Sequence, residues 1–276
     1  MCSKILSCYS LGVFTTKHRF NFACLRAMGS YSDRTERKPR PHGAEDFAVK
    51  NMATKDEVIN MWKVADAVCF DVDSTVIREE AIDELATFCG KGEEVAKLTE
   101  EAMKGSMNFR DAFARRLDII KPQMSQLRDF ISARPHKLTP GIKELVEALH
   151  QRSTPVYLVS GGMRGLVTPV ALELNIPLEN VFANRLKFFF NGDYAGFDEN
   201  EPTSKTGGKG EVIRKLKDKY GYSTLVLIGD GATDLEACPP ADAFIGFGGN
   251  VVREAVKAKA QWYVTDFKEL LDALQE

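Results

Sequence analysis

Two aspartates one residue apart, Asp71 and Asp73, follow directly on the apolar run Ala67–Phe70. A short β-rich run bounded by polar residues reads as a buried strand. Ligands of open α/β sheets lie just beyond the carboxyl ends of such strands. Two carboxylates there are costly unless a cation or a proton compensates them. The pair suits a divalent-cation site in which one carboxylate is free to attack phosphorus. Positions two apart in an extended chain face the same way, so both side chains can enter one site. Asp71, nearer the strand, is the nucleophile candidate. Asp73 is the general-acid candidate, able to reach the leaving oxygen on the far side of phosphorus. The plainer reading is an Asp-rich turn, with Asp73 and Ser74 as turn formers.

Three further junctions carry residues of the same kind. Ser160 follows the apolar run Pro155–Val159 and precedes Gly161 and Gly162. A hydroxyl with accessible backbone N–H groups can hold phosphoryl oxygens; a Gly-rich turn is the alternative. Lys209 lies in Gly207-Gly208-Lys209-Gly210, where a helix start would offer both charge and N–H dipoles to a phosphate. The residue after Lys209 is Gly210, so this is not a nucleotide-binding P-loop, and a solvated lysine is the alternative. Asp230 and Asp234 follow the apolar run Thr224–Ile228. Asp230 can complete an oxygen-rich Mg²⁺ shell with Asp71, and Asp234 can orient the site or cap a helix. A plain Asp-Gly turn is the alternative.

Other chemistries fit poorly. No cysteine has an arginine six residues on, and none of the four histidines (18, 42, 136, 150) lies in these junctions. That leaves little for a cysteine or histidine nucleophile or a di-zinc site. The Gly246-Phe-Gly248-Gly249-Asn250 run lacks the third glycine of a dinucleotide-binding fingerprint. The six cysteines show no CxxC spacing, which suits unpaired thiols in a reduced compartment. Residues 1–55 hold 10 of the 37 basic residues and 4 of the 39 acidic ones, so the remainder carries 27 against 35, a net of −8. An acidic body argues against nucleic acid as a partner, and no apolar run is long enough to span a bilayer. The positive charge for a phosphate pocket must therefore be placed locally.

The elements that would position these residues alternate. Thr54 caps a helix to Ala65 with Val58, Met61 and Trp62 as its stripe. The strand delivering Asp71 follows. Residues 79–131 read as four helices, with stripes Ile82/Leu85/Ala86/Cys89, Val95/Leu98/Ala102, Phe109/Ala112/Phe113/Leu117 and Leu127/Phe130/Ile131. A helical insert directly after the Asp-bearing loop is well placed to act as a lid. Thr139-Pro140-Gly141 starts the next helix, with Thr139 as N-cap. Strands then follow at Pro155–Val159, Val181–Ala183, Thr224–Ile228, Ala243–Phe247 and Trp262–Val264, with helices between them. A hairpin turns at Asn191-Gly192, and a helix spans Glu211–Tyr220. The sum is a doubly wound, Rossmann-like parallel α/β sheet with a helical-bundle cap and a small β-hairpin. The core spans 54–78 and 139–276, and the cap spans 79–138.

Residues 1–32 contain no Asp or Glu, four basic residues, five serines and two threonines. That composition predicts an organelle transit peptide, plastid before mitochondrion because Arg is sparse. Residues 33–50, with Lys38-Pro39-Arg40-Pro41, read as a linker, so 1–53 lie outside the catalytic body.

Taken in order, the four junctions resemble the haloacid dehalogenase-like phosphohydrolases. Asp71-Val-Asp73-Ser-Thr75 is similar to the first family motif, Ser160-Gly161-Gly162 to the second, Lys209 to the third, and Gly229-Asp230-Gly231-Ala-Thr-Asp234 to the fourth. The resemblance covers about 55–276. It is closest to the branch acting on O-phospho-L-serine, through Asp-Ser-Thr-Val76 with Glu79-Glu80 and through the run Cys238–Asn250. It implies Mg²⁺-dependent hydrolysis through an aspartyl-phosphate, as the last step of the phosphorylated route to serine. Asp71 would be phosphorylated, and Asp73 would act as acid and then base. Mg²⁺ would be held by Asp71, the backbone carbonyl of Asp73, and Asp230. Ser160 and Lys209 would bind phosphoryl oxygens, with Gly161, Gly162 and Thr233 beside them and Asp234 in support. Glu80 would meet the substrate ammonium, Arg116 its carboxylate, and Met103 would line the pocket. The partner expected is this small molecule, with no nucleic acid and no membrane; a homodimer is compatible with the sequence.

Overall fold

The computed structural model describes residues 53–101 and 107–275. The transit-peptide and linker expectations, and those for Ala102 and Met103, lie outside the described residues. In chain order the strands are β1 (Ala67–Phe70), β2 (Val156–Met163), β3 (Val181–Asn184), β4 (Leu186–Phe188), β5 (Tyr194–Phe197), β6 (Leu225–Gly229), β7 (Ala243–Phe247) and β8 (Trp262–Val264). The main sheet is six-stranded and parallel, in the order β3-β2-β1-β6-β7-β8. The chain leaves β1 towards β2 and β3 on one side, then crosses back to β6 on the other. The switch in winding direction therefore falls between β1 and β6, where open α/β sheets bind their ligands.

Both faces of the sheet are covered, which is why its strands are apolar throughout instead of alternating. Val68 and Phe70 of β1, with Val156, Leu158, Val226 and Ile228, face one layer. That layer is built by helices α1 (Lys55–Lys63), α6 (Ile142–Gln151), α7 (Arg164–Glu173) and α11 (Phe267–Gln275). Ala67, Cys69, Tyr157, Val159, Leu225 and Leu227 face the other layer, where α8 (Gly208–Tyr220) contributes Val212, Ile213 and Leu216. Thr54 caps α1 reciprocally with Glu57, as its spacing predicts.

Between β1 and β2 lie four helices, α2 (Ala81–Phe88), α3 (Gly92–Glu101), α4 (Phe109–Ile120) and α5 (Met124–Ala133). They bury a separate apolar cluster that includes Leu85, Val95, Phe113, Leu117 and Phe130. The β4–β5 hairpin extends this cluster: Phe197 meets Phe113 edge-on at 5.1 Å, and the Met124 N–H donates to the Gly192 carbonyl at 2.9 Å. The two chain segments that enter and leave these helices run side by side through an antiparallel bridge of Ile77 and Leu138. Among the described residues, no helix is long and apolar enough to cross a membrane.

Three local expectations change. Thr139 is not the N-cap of α6; that place is taken by Gly141 at φ 83°. The Thr139 hydroxyl instead donates to the Thr75 carbonyl at 2.7 Å and accepts from Asn250 Nδ2 at 2.7 Å. Strand β2 does not stop at Val159; it runs on through Ser160, Gly161 and Gly162 to Met163, with its register against β3 shifting on the way. Helix α8 begins at Gly208, three residues before Glu211, so Lys209 sits in its first turn.

Candidate active site

The N–H of Asp71 donates to the Ile228 carbonyl at 2.9 Å, continuing the β1–β6 ladder past the end of β1. Two adjacent parallel strands thus end at one level, and Asp71 after β1 stands beside Asp230 after β6. The chain beyond Asp71 does not stay extended. It folds into a wide turn over Val72–Val76, with Ser74 at φ 55°. The turn is fastened by Asn250 Nδ2, which donates to the Ser74 carbonyl at 3.0 Å. It sets Asp73 with one carboxylate oxygen accepting the Ala81 N–H at 2.9 Å and the other accepting the Ser160 hydroxyl at 3.3 Å.

Lys209 stands between two carboxylates, with Nζ 2.8 Å from Asp71 Oδ1 and 2.6 Å from Asp234 Oδ1. All three residues are buried, Asp234 completely. Burial works to lower the Lys209 ammonium, yet Asp234 and Asp71 outweigh it and hold it above the ordinary lysine value. The Asp234 Oδ2 accepts the Gly231 N–H at 3.0 Å, which ties the lysine to the loop carrying Asp230. Asp230 itself accepts from the Thr75 hydroxyl at 3.0 Å and from Arg253 Nε at 2.7 Å. Ser160 is fully buried and accepts the Gly162 N–H at 2.8 Å. Asn184 Nδ2 donates to the Gly161 carbonyl at 2.8 Å and its Oδ1 accepts from Thr203 at 2.9 Å, fixing the peptide that follows Ser160.

Asp71, Asp73, Gly161, Gly162, Lys209, Asp230 and Arg253 line a cavity of about 180 Å³ together with Glu80, Phe109, Phe113, Arg116 and Thr233. Its size admits a small molecule, not a folded partner. Glu80 precedes α2 and accepts from the Ser74 hydroxyl at 2.8 Å and from Arg253 Nη2 at 2.9 Å. Arg116 enters from α4, its Nε donating to the Ala112 carbonyl at 3.3 Å. Burial lowers its guanidinium, against the opposing pull of Asp83, Glu80 and Asp73.

Asp71, Asp73, Glu80 and Asp230 line this space beside Lys209, Arg116, Arg253 and Lys205, with Asp234 paired to Lys209. Burial, then the charges of Glu80 and Asp71, push Asp73 up to about 7. Burial also raises Glu80 and Asp230, and Asp71 adds to both. Buried carboxylates that raise one another in this way are what a divalent cation stabilises. The donors fit one: Asp71, Asp230 and Asp234 each offer an oxygen within 4.8 Å of the others. An all-oxygen set suits a hard cation such as Mg²⁺, Mn²⁺ or Ca²⁺.

The structure therefore gathers Asp71, Asp73, Glu80, Arg116, Ser160, Gly161, Gly162, Lys209, Asp230, Thr233 and Asp234 around one space. Met103 lies outside the described residues. Sequence reasoning missed Arg253, Thr75, Asn250 and Thr203. Arg253 follows the Gly248-Gly249-Asn250 run at the end of β7, another strand end on the same edge of the sheet, and that position was the available signal.

The chain matches a family profile for haloacid dehalogenase-like hydrolases over residues 65–242. It belongs to that family. It is 58% identical over 225 residues to the phosphoserine phosphatase of Mus musculus, across 82% of this chain and the whole of the relative. It is 48% identical over 226 residues to the chloroplastic phosphoserine phosphatase of Arabidopsis thaliana, across 81% of this chain and 77% of the relative. A solved structure described as the phospho-aspartyl intermediate analogue of phosphoserine phosphatase superposes with a TM-score of 0.65 at 30% identity, covering 75% of this chain and 97% of the other.

The glycines after Ser160 give a test. A Cβ on Gly162 would lie 2.7 Å from Asp73 Oδ2 and 3.1 Å from Ser160 Oγ, and one on Gly161 would lie 2.6 Å from Phe109 Cζ. Gly162→Ala must push the Asp73 carboxylate aside. We expect phosphate release from a phosphomonoester to fall about 10²-fold, with thermal denaturation shifted by only a few degrees. Unchanged turnover in this variant would show that Asp73 is not held where the chemistry needs it.

Proposed function

We propose that this chain hydrolyses O-phospho-L-serine to L-serine and phosphate, the final reaction of the phosphorylated route to serine. One observation carries the reading. A single cavity joins a phosphate-side cluster (Lys209, Asp71, Asp230) to two opposite charges on the cap side, Glu80 and Arg116. A phosphate ester alone needs neither of the latter; a zwitterionic amino acid bearing phosphate needs both. A guanidinium grips a carboxylate in bidentate fashion, and Glu80 offers the counter-charge for an ammonium. The relatives named phosphoserine phosphatase, matched over their full length in the mouse case, support the same substrate.

In this reading Asp71 attacks phosphorus, and the bond to the serine oxygen breaks as Asp73 delivers a proton to that oxygen. Asp73, now a carboxylate, takes a proton from water as the water attacks phosphorus of the Asp71 acyl phosphate; the P–O bond to Asp71 breaks, and phosphate leaves with the Asp71 carboxylate restored. Splitting one hydrolysis into two displacements lowers each barrier. A carboxyl raised towards neutrality suits the acid step. Lys209, Ser160 and the N–H groups of Gly161 and Gly162 hold the phosphoryl oxygens, with Thr233 beside them. Asp234 keeps Lys209 charged and aimed. Asp71, the backbone carbonyl of Asp73 and Asp230 would hold Mg²⁺, which would supply positive charge to the phosphoryl oxygens. Residues 54–78 and 139–276 act as the core and 79–138 as a lid whose closure excludes water. The four helices gather Leu85, Val95, Phe113, Leu117 and Phe130 into a cluster distinct from those on the two faces of the sheet, which supports this division. Met103 would line the pocket from the lid.

The acid-free first 32 residues support a targeting segment, with 1–53 as transit peptide and linker. A chloroplastic relative supports the plastid as destination, although the animal relative shares more identity with this chain.

Three outcomes follow. Asp71→Asn, freshly purified and free of deamidation, loses essentially all release of phosphate from phosphoserine, as does the wild type stripped by chelator until Mg²⁺ is restored. Full turnover in the variant overturns the nucleophile assignment. Arg116→Lys weakens phosphoserine use about tenfold or more while sparing an ester without a carboxylate, such as phosphoethanolamine. Equal losses remove Arg116 from carboxylate recognition. A fluorescent protein fused after residue 53 enters isolated plastids; uptake by mitochondria alone would reassign the compartment.

A further inference from the structure

Arg253 spans two carboxylates on different sides of the site. Its Nε donates to Asp230 Oδ2 at 2.7 Å and its Nη2 to Glu80 Oε1 at 2.9 Å. Asp230 belongs to the acidic cluster under the phosphate position, and Glu80 leads into α2 on the cap side. The two links differ in kind. The Asp230 side chain is 3% exposed, whereas that of Glu80 is 39% exposed. The inner link is therefore a buried anchor, and the outer one is what the anchor holds in place. The same Glu80 oxygen accepts from the Ser74 hydroxyl at 2.8 Å. Among the described residues Oε2 has no hydrogen-bond partner, so one oxygen is fixed twice and the other is left to a ligand of the cavity that Glu80 lines.

We propose that Arg253 is a positioning residue for substrate discrimination: it clamps Glu80 to Asp230 so that the open carboxylate oxygen selects a phosphoester bearing an ammonium. The inference rests on the proposed function, in which Glu80 meets that ammonium. The charges facing Glu80 explain why a clamp is needed. Asp71, Asp73 and Asp230 repel it, while Arg253 and Arg116 attract it. Without Arg253 only the Ser74 hydroxyl holds the carboxylate, and one that swings to solvent ceases to attract a cation in the cavity. A planar guanidinium can serve both carboxylates at once from one rigid fork. A lysine ammonium keeps the charge but, as a point donor on a flexible stem, does not hold the same bridge.

The test uses the full chain with Mg²⁺ and two ligands of one skeleton: phosphoserine, and 3-phosphoglycerate, in which a hydroxyl replaces the ammonium. The readouts are KM and kcat for phosphoserine and the inhibition constant of 3-phosphoglycerate against it. Arg253→Lys should raise KM for phosphoserine about tenfold, the scale of one charge-assisted hydrogen bond, and leave the inhibition constant within about twofold. Glu80→Gln should show the same split, and the double variant should be no worse than either single one. A merely structural role would weaken both ligands together; that result, an unchanged KM, or additive losses in the double variant would overturn the inference alone. If the wild type turns over no phosphoserine, the proposed function fails and the inference falls with it.

Discussion

Five carboxylates converge at the carboxyl ends of two neighbouring parallel strands, and the rest of the site is arranged around their charge. The ladder from Asp71 N–H to the Ile228 carbonyl leaves no freedom in where Asp71 and Asp230 emerge. Buried like charges at that distance raise each other's protonation and destabilise the fold unless they are offset. Lys209 pairs with two of them from the first turn of α8, and Arg253 with Asp230 and Glu80 from the loop after β7. The repulsion of Asp71 and Asp230 is the ground for a divalent cation. Polar side chains then hold the backbone that carries the charges: Thr75 on Asp230, and Asn250 and Thr139 on the Val72–Val76 turn.

The cap solves a different problem by different means. Its helices pack through an apolar cluster that also takes in Met163 and Leu166 of the core, and they rest on the hairpin through Phe113 and Phe197. Polar contacts reach the core at only a few points, such as Arg110 Nη2 on the Ser204 hydroxyl at 2.9 Å. Phe109 lies where any side chain on Gly161 would stand. An aromatic wall over the cavity strengthens the electrostatics beneath it by keeping water out. Apolar packing between parts that share few hydrogen bonds is also compatible with opening for exchange of ligand.

Electrostatic recognition and catalytic charge are joined at one residue pair. Glu80 begins the first cap helix, yet its carboxylate is bridged through Arg253 to Asp230 in the core. The entry of the cap and the acidic cluster are thus linked by a guanidinium and not only by the covalent turn. Asp73 stands between them, accepting the Ala81 N–H from the start of α2 and the Ser160 hydroxyl from β2.

Much of this was legible in the residues. The apolar runs ending in Asp71, Ser160 and Asp230 have the period and length of buried parallel strands, and their order with the intervening helices defines a doubly wound sheet. The residues at those ends therefore had to share one edge, and the family motifs named most of them. What could not be read was anything set by contacts distant in sequence. Thr139 in Thr-Pro-Gly has the form of a helix cap, but a carbonyl 64 residues away takes its hydroxyl. The Ser160-Gly161-Gly162 run has turn composition, yet it continues β2 through a register shift against β3. Arg253 is marked only by its place after a strand end, and its two partners, Asp230 and Glu80, are distant in sequence. Strand ends and helix stripes follow from short-range sterics and apolar period, which the sequence alone determines. The partners of buried charges follow from which loops the closed sheet brings within a few ångströms, and only the tertiary structure decides that.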